Sequence, residues 1–259
     1  MAAVMEFLEY PERSAEILHR VPGSGQVTLR TGAQCRVGAH QAAVFYRDGA
    51  AADVLHAGRH RLSAETLPGL ASRTQLSDAD DRFRAAVYFV SDRVVPAMTW
   101  ELAEPLVITD DRDRNVTLTA RGTASFRITN AGTFVGMHAV SKHADSTRGV
   151  LRNLESNIAR EVGAVLARDV TSAENLSSRF NNLATESRLR LKHVLGRQGV
   201  ELIDFFITAI EPLQRPVTGP ATGVTIRRPR LQLGSEGGAS PQPPAPSSAS
   251  VIRKKRKKG

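Results

Sequence analysis

The residues that most often bind metals are scattered in this chain, without the spacing that such chemistry requires. His56 and His60 are four residues apart, a spacing that brings two metal ligands together on one face of a helix. They lie instead in a stretch with the character of a strand and a turn. His138 and His143 fall in a loop or at the edge of a helix. We therefore predict surface or structural roles for these four histidines, with no metal ion and no cofactor.

The acidic and thiol groups are equally weak candidates for a reactive centre. Asp110, Asp111 and Asp113 look like the start of a calcium loop, but the Gly and Glu that complete such a loop do not follow. Cys35 has His40 nearby in sequence, but nothing orients the pair. Because Cys35 lies in a predicted strand, we expect a buried, unreactive thiol. With no nucleophile elbow, phosphate-binding loop or dinucleotide fingerprint in the sequence, we predict no enzyme and no small-molecule substrate.

The clearest chemical signal is positive charge gathered near the C-terminus. Residues 213–259 contain ten Arg or Lys and one acid, Glu236, and so account for the whole net charge of +9. Residues 1–212 balance to zero, which predicts a body with no attraction of its own to polyanions. Six consecutive bases lie near the end of the segment: Arg253, Lys254, Lys255, Arg256, Lys257 and Lys258.

This basic run suits several partners. Near an anionic membrane each base contributes about 1 kcal/mol of attraction. The run would also bind nucleic acid, with an affinity that falls steeply as salt rises, or act as a nuclear-import signal in a eukaryotic host. No aromatic residue lies among the bases, so base stacking is not supported. A solubilising end without any partner is the remaining alternative.

Any contact with a membrane is predicted to be peripheral. No stretch approaches the roughly 18 apolar residues that cross a bilayer, and residues 1–10 lack the pattern of a signal peptide. Val4, Phe7 and Leu8 form a short apolar patch that would touch lipid or, in the simpler interpretation, belong to a first strand. A single cysteine excludes an intramolecular disulfide and fits a reducing, cytoplasmic setting.

The first half of the chain has the pattern of antiparallel strands. Ala42–Arg47 and the strand that follows Asp48-Gly49 form a predicted hairpin, because this dipeptide favours a tight turn. Val116–Ile128 alternates between apolar and polar residues as a half-buried strand does, and Gly122 in its middle predicts a bulge or a bend. Residues 63–81 are predicted to be irregular. Further strands are expected at 33–37, 51–56, 58–62, 83–90, 94–100 and 105–109.

The second half changes to a helical period. Apolar residues recur at three- and four-residue spacing within 148–169 and again within 176–195. The second helix is expected to start at the capping box of Thr171–Glu174, and Val200–Ile210 has the pattern of a closing strand. The two apolar stripes pack against the sheet and each other, or in addition form contacts between subunits. The residues considered for that second role are Leu151, Leu154, Ile158, Leu176, Phe180 and Leu183.

Strands, then helices, then one strand define an α+β fold. The predicted domain spans residues 1–212, with a β-rich part at 1–130, a helical part at 131–199 and the closing strand at 200–210. Residues 213–259 are rich in Pro, Ser and Gly. We predict a disordered linker and basic tail there, because the segment cannot bury enough apolar surface to offset the entropy of ordering it.

Several segments resemble a known family. Ala42–Gly49 (AAVFYRDG) followed by Ala57–Leu62 (AGRHRL) is similar to the entry of SPFH domains, which occur in stomatin, prohibitin, flotillin and band 7 proteins. Ala86–Val90 (AVYFV) with Met98–Trp100, and the strand Ala120–Ile128, resemble the bacterial branch called virion core protein-like. Many members of that branch end in a cysteine-rich zinc ribbon, which the basic tail replaces here.

The resemblance covers roughly residues 3–212 and implies a scaffold that assembles into rings or arrays. Our hypothesis is a non-enzymatic homo-oligomer on the cytoplasmic face of the cell membrane, organising envelope or stress-response partners, including membrane proteins. Its basic tail would contact an anionic membrane surface. The alternative is an oligomeric interaction protein whose tail binds nucleic acid or an acidic partner.

Overall fold

The computed structural model describes residues 4–12, 16–74, 82–109, 115–138, 146–170 and 176–213. These residues form two β-sheets and four helices. The strands are β1 (Val4–Glu9), β2 (Leu18–Val21), β3 (Val27–Val37), β4 (Gln41–Arg47), β5 (Ala50–Leu55), β6 (Gly58–Arg61), β7 (Arg82–Ser91), β8 (Val95–Glu101), β9 (Leu106–Thr109), β10 (Asn115–Ile128) and β11 (Val200–Pro212). The helices are α1 (Pro68–Thr74), α2 (Ala131–His138), α3 (Thr147–Asp169) and α4 (Leu176–Gly196).

β3 organises the first sheet, which contains β1 to β7. One edge of β3 pairs with β1, while its other edge pairs first with β7 and then with β6. β7 also pairs with β2 and β4, and β4 pairs with β5. The predicted α+β class is confirmed. The first half is not wholly antiparallel, however, because β1 runs parallel to β3.

Alternate residues of the first sheet point into a core of their own. Leu29, Cys35 and Phe83 are almost fully buried there. β7 is buried on both faces over Ala85–Val90, because Tyr88 and its neighbours of the same parity enter a second, larger core. The start of β7 keeps only one face covered, so its other face is left to solvent.

The hairpin and the bulge lie where the sequence predicts them. Asp48 and Gly49 have positive φ angles of 51° and 80°, as a tight hairpin turn requires, and they join β4 to β5. The pairing of β10 with β11 shifts register between Arg121 and Gly122. A side chain at Gly122 would overlap the indole of Trp100 on β8, so the glycine also makes room for a core residue.

The prediction that residues 63–81 are irregular is wrong for Pro68–Thr74, which form α1. The signal for this helix lies elsewhere in the chain. Asp53 on β5 accepts hydrogen bonds from the backbone amides of Gly69 and Leu70, at 2.9 and 2.6 Å. These are amides that the first turn of a helix leaves without a partner, so a residue of the neighbouring strand completes the cap.

The second sheet places β10 between β11 on one side and β8 and β9 on the other. Helices α3 and α4 pack with it around the larger core, which includes the fully buried side chains of Ile158 and Leu191. α3 begins at Ser146, whose hydroxyl accepts a hydrogen bond from the amide of Gly149. The capping box predicted at 171–174 lies outside the described residues, and so do residues 214–259 with the predicted tail.

Candidate anion-binding face

His56, His60, His138 and Cys35 lie in ordinary structural positions, whereas His143 lies outside the described residues. Nε2 of His60 donates a hydrogen bond to the carbonyl of His56 at 2.7 Å, so the two rings do not form a ligand pair. His138 is buried against Phe134, and burial lowers its pKa. Cys35 is fully buried, which raises the pKa of its thiol to about 12. Within the described ranges no cluster of His, Cys, Asp and Glu could hold a metal ion, and 110–114 and 139–145 fall outside those ranges.

The N-terminal apolar patch is the strand β1. Leu8 is only 1% exposed and belongs to the first core. It is therefore not available for the lipid contact that one of the two interpretations assigned to it. Val4 is partly buried. Phe7 points to the opposite face and is 51% exposed, which leaves one aromatic side chain on the surface of this strand.

The residues considered for subunit contacts pack within the chain itself. Leu154, Ile158, Leu176 and Leu183 are buried in the larger core, because they form the sheet-facing stripes of α3 and α4. Leu151 and Phe180 are partly buried against the same core. The two stripes therefore form part of the core of this chain, and their predicted role in contacts between subunits stays a prediction. Among the large hydrophobic residues described on α3 and α4, Leu189 is exposed, with 61% of its surface accessible.

The outer side of the first sheet carries a set of arginines that sequence reasoning missed. On β3 and β7 the neighbours of the arginines point into the first core, so these arginines emerge on the opposite side. The pairing of β6 with β3 places Arg59 and Arg61 opposite the outward residues of β3. The pairing aligns Arg30 with Arg82, and Arg36 with Arg59. We call this set the arginine face; it consists of Arg30, Arg36, Arg59, Arg61, Arg82 and Arg84.

Two carboxylates partly neutralise the arginine face. Arg30 pairs with Glu6 at 3.1 Å, and Arg36 pairs with Glu9 at 3.2 Å. Both pairs are solvent-exposed, so each contributes little to stability and is easily exchanged for another anion. No carboxylate among the described residues pairs with the other four arginines, which leaves a clear excess of positive charge on this side of the sheet.

The predicted lack of attraction to polyanions stays a prediction, because it considered net charge alone. The charges of residues 1–212 balance in sum but are separated in space, and one side of the first sheet is cationic. The signal was present in the sequence as Arg59-His60-Arg61 and Arg82-Phe83-Arg84, where arginine occupies every second position. In a strand this period puts both arginines on one face. Net charge alone, which adds all faces together, could not show it.

The fold and this face define an α+β domain whose most distinctive surface chemistry is an exposed cationic sheet. A family model of the SPFH domain-Band 7 family matches residues 18–216. The chain belongs to this family, as the resemblance of its strand segments implied. A comparison with curated proteins gave no match.

Proteins of this family are in general membrane-associated scaffolds that typically oligomerise, and they are generally not enzymes. Among the residues that the structure describes, no helix is both long enough and apolar enough to cross a bilayer.

Proposed function

We propose that this protein is a non-enzymatic scaffold that oligomerises and associates peripherally with the inner face of the cell membrane, where it organises envelope or stress-response partners. The observation that carries the proposal is an SPFH domain with a cationic sheet face in addition to its basic run at 253–258. A cationic sheet face and a run of six bases on one chain favour a broad anionic partner, since a membrane leaflet offers many negative charges.

Vesicle flotation tests the membrane part of this proposal. The full chain is compared with a variant in which all six bases of 253–258 are Gln, and with Arg82→Gln/Arg84→Gln on the arginine face. We expect recovery on phosphatidylglycerol vesicles to fall for both variants. Two arginines at about 1 kcal/mol each correspond to about 30-fold in affinity.

The matched control is Arg148→Gln/Arg152→Gln, which removes the same charge from exposed positions on α3. This control should float like the unmodified chain, and none of the proteins should float on phosphatidylcholine. Equal recovery of all four proteins on the anionic vesicles would contradict the proposal, because binding would then depend neither on the arginine face nor on the basic run at 253–258.

The helical pair offers a surface for self-association. A groove of about 500 Å³ between α3 and α4 is lined by charges of both signs and by the exposed Leu189. Arg168 and Glu186 form an ion pair across it at 3.2 Å. A mixed-charge groove around one exposed apolar side chain suits a second copy of the same surface, because each copy then provides both signs of charge.

Native mass measurement at several concentrations tests the oligomer. We expect assemblies for the full chain and a smaller assembled fraction for Leu189→Glu. Thr185→Glu on the same helix adds the same charge without removing an apolar group, so it should assemble normally. Phe206→Glu probes the outer face of the second sheet, where Phe206 is 59% exposed. A chain that stays monomeric at all concentrations would contradict the scaffold function.

The alternative partner is nucleic acid or an acidic protein, and the excess charge of the arginine face is compatible with it. Gel-shift binding at two salt concentrations separates this alternative from the membrane proposal. Binding to nucleic acid through the arginine face would weaken steeply with salt and would be lost in Arg82→Gln/Arg84→Gln. No shift at low salt removes the alternative.

A further inference from the structure

A groove lies at one end of the arginine face, where three strands run side by side. The register aligns Phe7 of β1, Gln34 of β3 and Arg61 of β6 in one row. The next row consists of Glu9, Arg36 and Arg59. Side chains aligned in this way across neighbouring strands are in reach of one another. Apart from Glu9, the residues of these two rows line a groove of about 540 Å³, which we call the three-arginine groove.

The three arginines of the groove carry more positive charge than the one neighbouring acid, Glu9, can neutralise. Glu9 is bound to Arg36 at 3.2 Å. Arg59 and Arg61 form no ion pair with any residue in the described ranges. The ring of His60 also borders the groove, but its Nε2 is already bonded to the backbone of His56. Two guanidinium groups therefore stand side by side without a counter-charge from this part of the chain.

The strands β3 and β6 beneath these side chains are held in place by buried residues and a hydrogen bond. Cys35 lies beneath the rows with no exposed surface, and Leu62, which follows β6, is equally buried. The hydroxyl of Thr66 donates a hydrogen bond to the carbonyl of Arg61 at 2.7 Å and holds the end of β6. Gly32 has a φ of +87°, and a Cβ there would come within 3.3 Å of Nη2 of Arg61. The glycine thus lets the Arg61 guanidinium lie close over β3.

We propose that the three-arginine groove is a binding site for a phosphate monoester or diester. Guanidinium groups bind phosphate through paired hydrogen bonds, which a lysine cannot reproduce. The amide of Gln34 provides a further donor, and Phe7 offers an apolar contact to the organic part of the ligand. The volume falls within the range of about 300 to 1,000 Å³ that is typical of ligand sites, so it accommodates more than a bare phosphate.

The ligand could be a soluble phosphate ester or a phospholipid headgroup, and two experiments on the full chain separate these sources. The first titrates inorganic phosphate and glycerol 3-phosphate, each followed by calorimetry. The second measures flotation on phosphatidylglycerol vesicles. The groove variant is Arg36→Gln/Arg59→Gln/Arg61→Gln, and its charge-matched control is Arg148→Gln/Arg152→Gln/Arg197→Gln, three exposed arginines of the helical part.

We expect the groove variant to bind at least about tenfold more weakly than the control, because it loses the charge-assisted hydrogen bonds to phosphate. Loss in the calorimetric experiment assigns the site to soluble esters, and loss only with vesicles assigns it to headgroups. Equal binding by both variants in both experiments overturns the proposal. The calorimetric result does not depend on membrane association, so the groove and the scaffold function can fail separately.

Two further variants distinguish a phosphate site from a mere patch of charge. Arg59→Lys/Arg61→Lys keeps the charge but loses the paired hydrogen bonds. We expect it to bind about tenfold more weakly in whichever of the two experiments the groove variant shows a loss. Unchanged binding by this variant would overturn the proposal. Glu9→Gln frees Arg36 from its exposed ion pair, and we expect affinity to rise about threefold. Weaker binding of glycerol 3-phosphate by Glu9→Gln would argue against an anion in this groove.

Discussion

An ion pair between α3 and α4 should make a measurable contribution to stability. Glu161 is only 9% exposed, and Nε of Arg190 donates a hydrogen bond to its Oε2 at 2.6 Å. Arg160 lies 3.4 Å from the other carboxylate oxygen. The hydrogen bond from Arg190 is the main reason that the pKa of Glu161 lies below its usual value, and burial opposes the shift.

The expected magnitude follows from the burial of the two partners. A hydrogen bond to a charged group contributes about 1.5 to 3 kcal/mol. Because the Arg190 side chain is 45% exposed, water competes for it, and we expect a value near the lower end. Arg190→Met should therefore lower the free energy of unfolding by about 2 kcal/mol, since the carboxylate stays buried with one weaker partner. Glu161→Gln should cost about 1 kcal/mol.

A double-mutant cycle measures the coupling of the pair directly. Urea unfolding can be followed by the fluorescence of Trp100, the single tryptophan, which is 1% exposed and stacks on Phe205. We expect a coupling of about 1.5 kcal/mol between Glu161→Gln and Arg190→Met. A coupling below about 0.5 kcal/mol would refute the argument that burial strengthens this pair.

The same pair predicts a dependence of stability on pH. The pKa of Glu161 is lower in the folded state than its usual value of 4.5, so its contribution is present above pH 4.5. That contribution is lost as the pH falls below 4.5 through the folded pKa. Glu161→Gln should therefore show a smaller loss of stability between neutral and acidic pH than the unmodified chain, because it has no proton to take up at this position.

Three further predictions concern buried groups. Gly122→Ala would place a Cβ against the backbone carbonyl oxygen of Phe206 and 2.7 Å from the Trp100 ring, so it should cost about 3 kcal/mol in urea unfolding. Gly136→Ala, with open space around it, should not destabilise. Burial lowers the pKa of His138 below 6.5, so stability should fall as the pH drops below that value, and His138→Phe should remove this slope. Cys35, with its thiol pKa raised to about 12, should react with iodoacetamide only after unfolding.

Local patterns predicted the elements whose cause is local. The alternation within Val116–Ile128 predicted β10, because a strand with one buried face needs apolar residues at every second position. Asp48-Gly49 predicted the hairpin, because both positions require positive φ angles that Asn, Asp and Gly adopt most easily. The helical period likewise predicted α3 and α4, whose sheet-facing residues are buried.

Features that depend on distant residues could not be predicted in the same way. α1 owes its cap to Asp53, a residue of β5, so the sequence around Pro68–Thr74 carries no cap of its own. The predicted strand at 33–37 is the second half of β3, which begins at Val27 and is lengthened by pairing with β1 and β7. Strand pairing of this kind joins residues far apart in the sequence and leaves little local signal.

The arginine face depends both on local sequence patterns and on the pairing of distant strands. Two of its strands show arginine at every second position, Arg59 and Arg61 on β6 and Arg82 and Arg84 on β7, and this alternation is visible in the sequence. What the sequence did not give was the alignment of three strands, which places Arg36 opposite Arg59 and Arg30 opposite Arg82. Only this alignment turns scattered charges into a surface.

The arrangement of the first sheet separates stability from binding. Its strands alternate between core residues such as Leu29 and Phe83 and outward residues such as Arg30 and Arg84, so the same backbone provides both the core and the cationic face. Replacing an outward arginine with Gln removes no buried contact and breaks at most one exposed ion pair. We therefore expect arginine-face variants to unfold within about 0.5 kcal/mol of the unmodified chain. A larger change would show that the arginines support the fold, and losses of binding in those variants could then not be assigned to the surface.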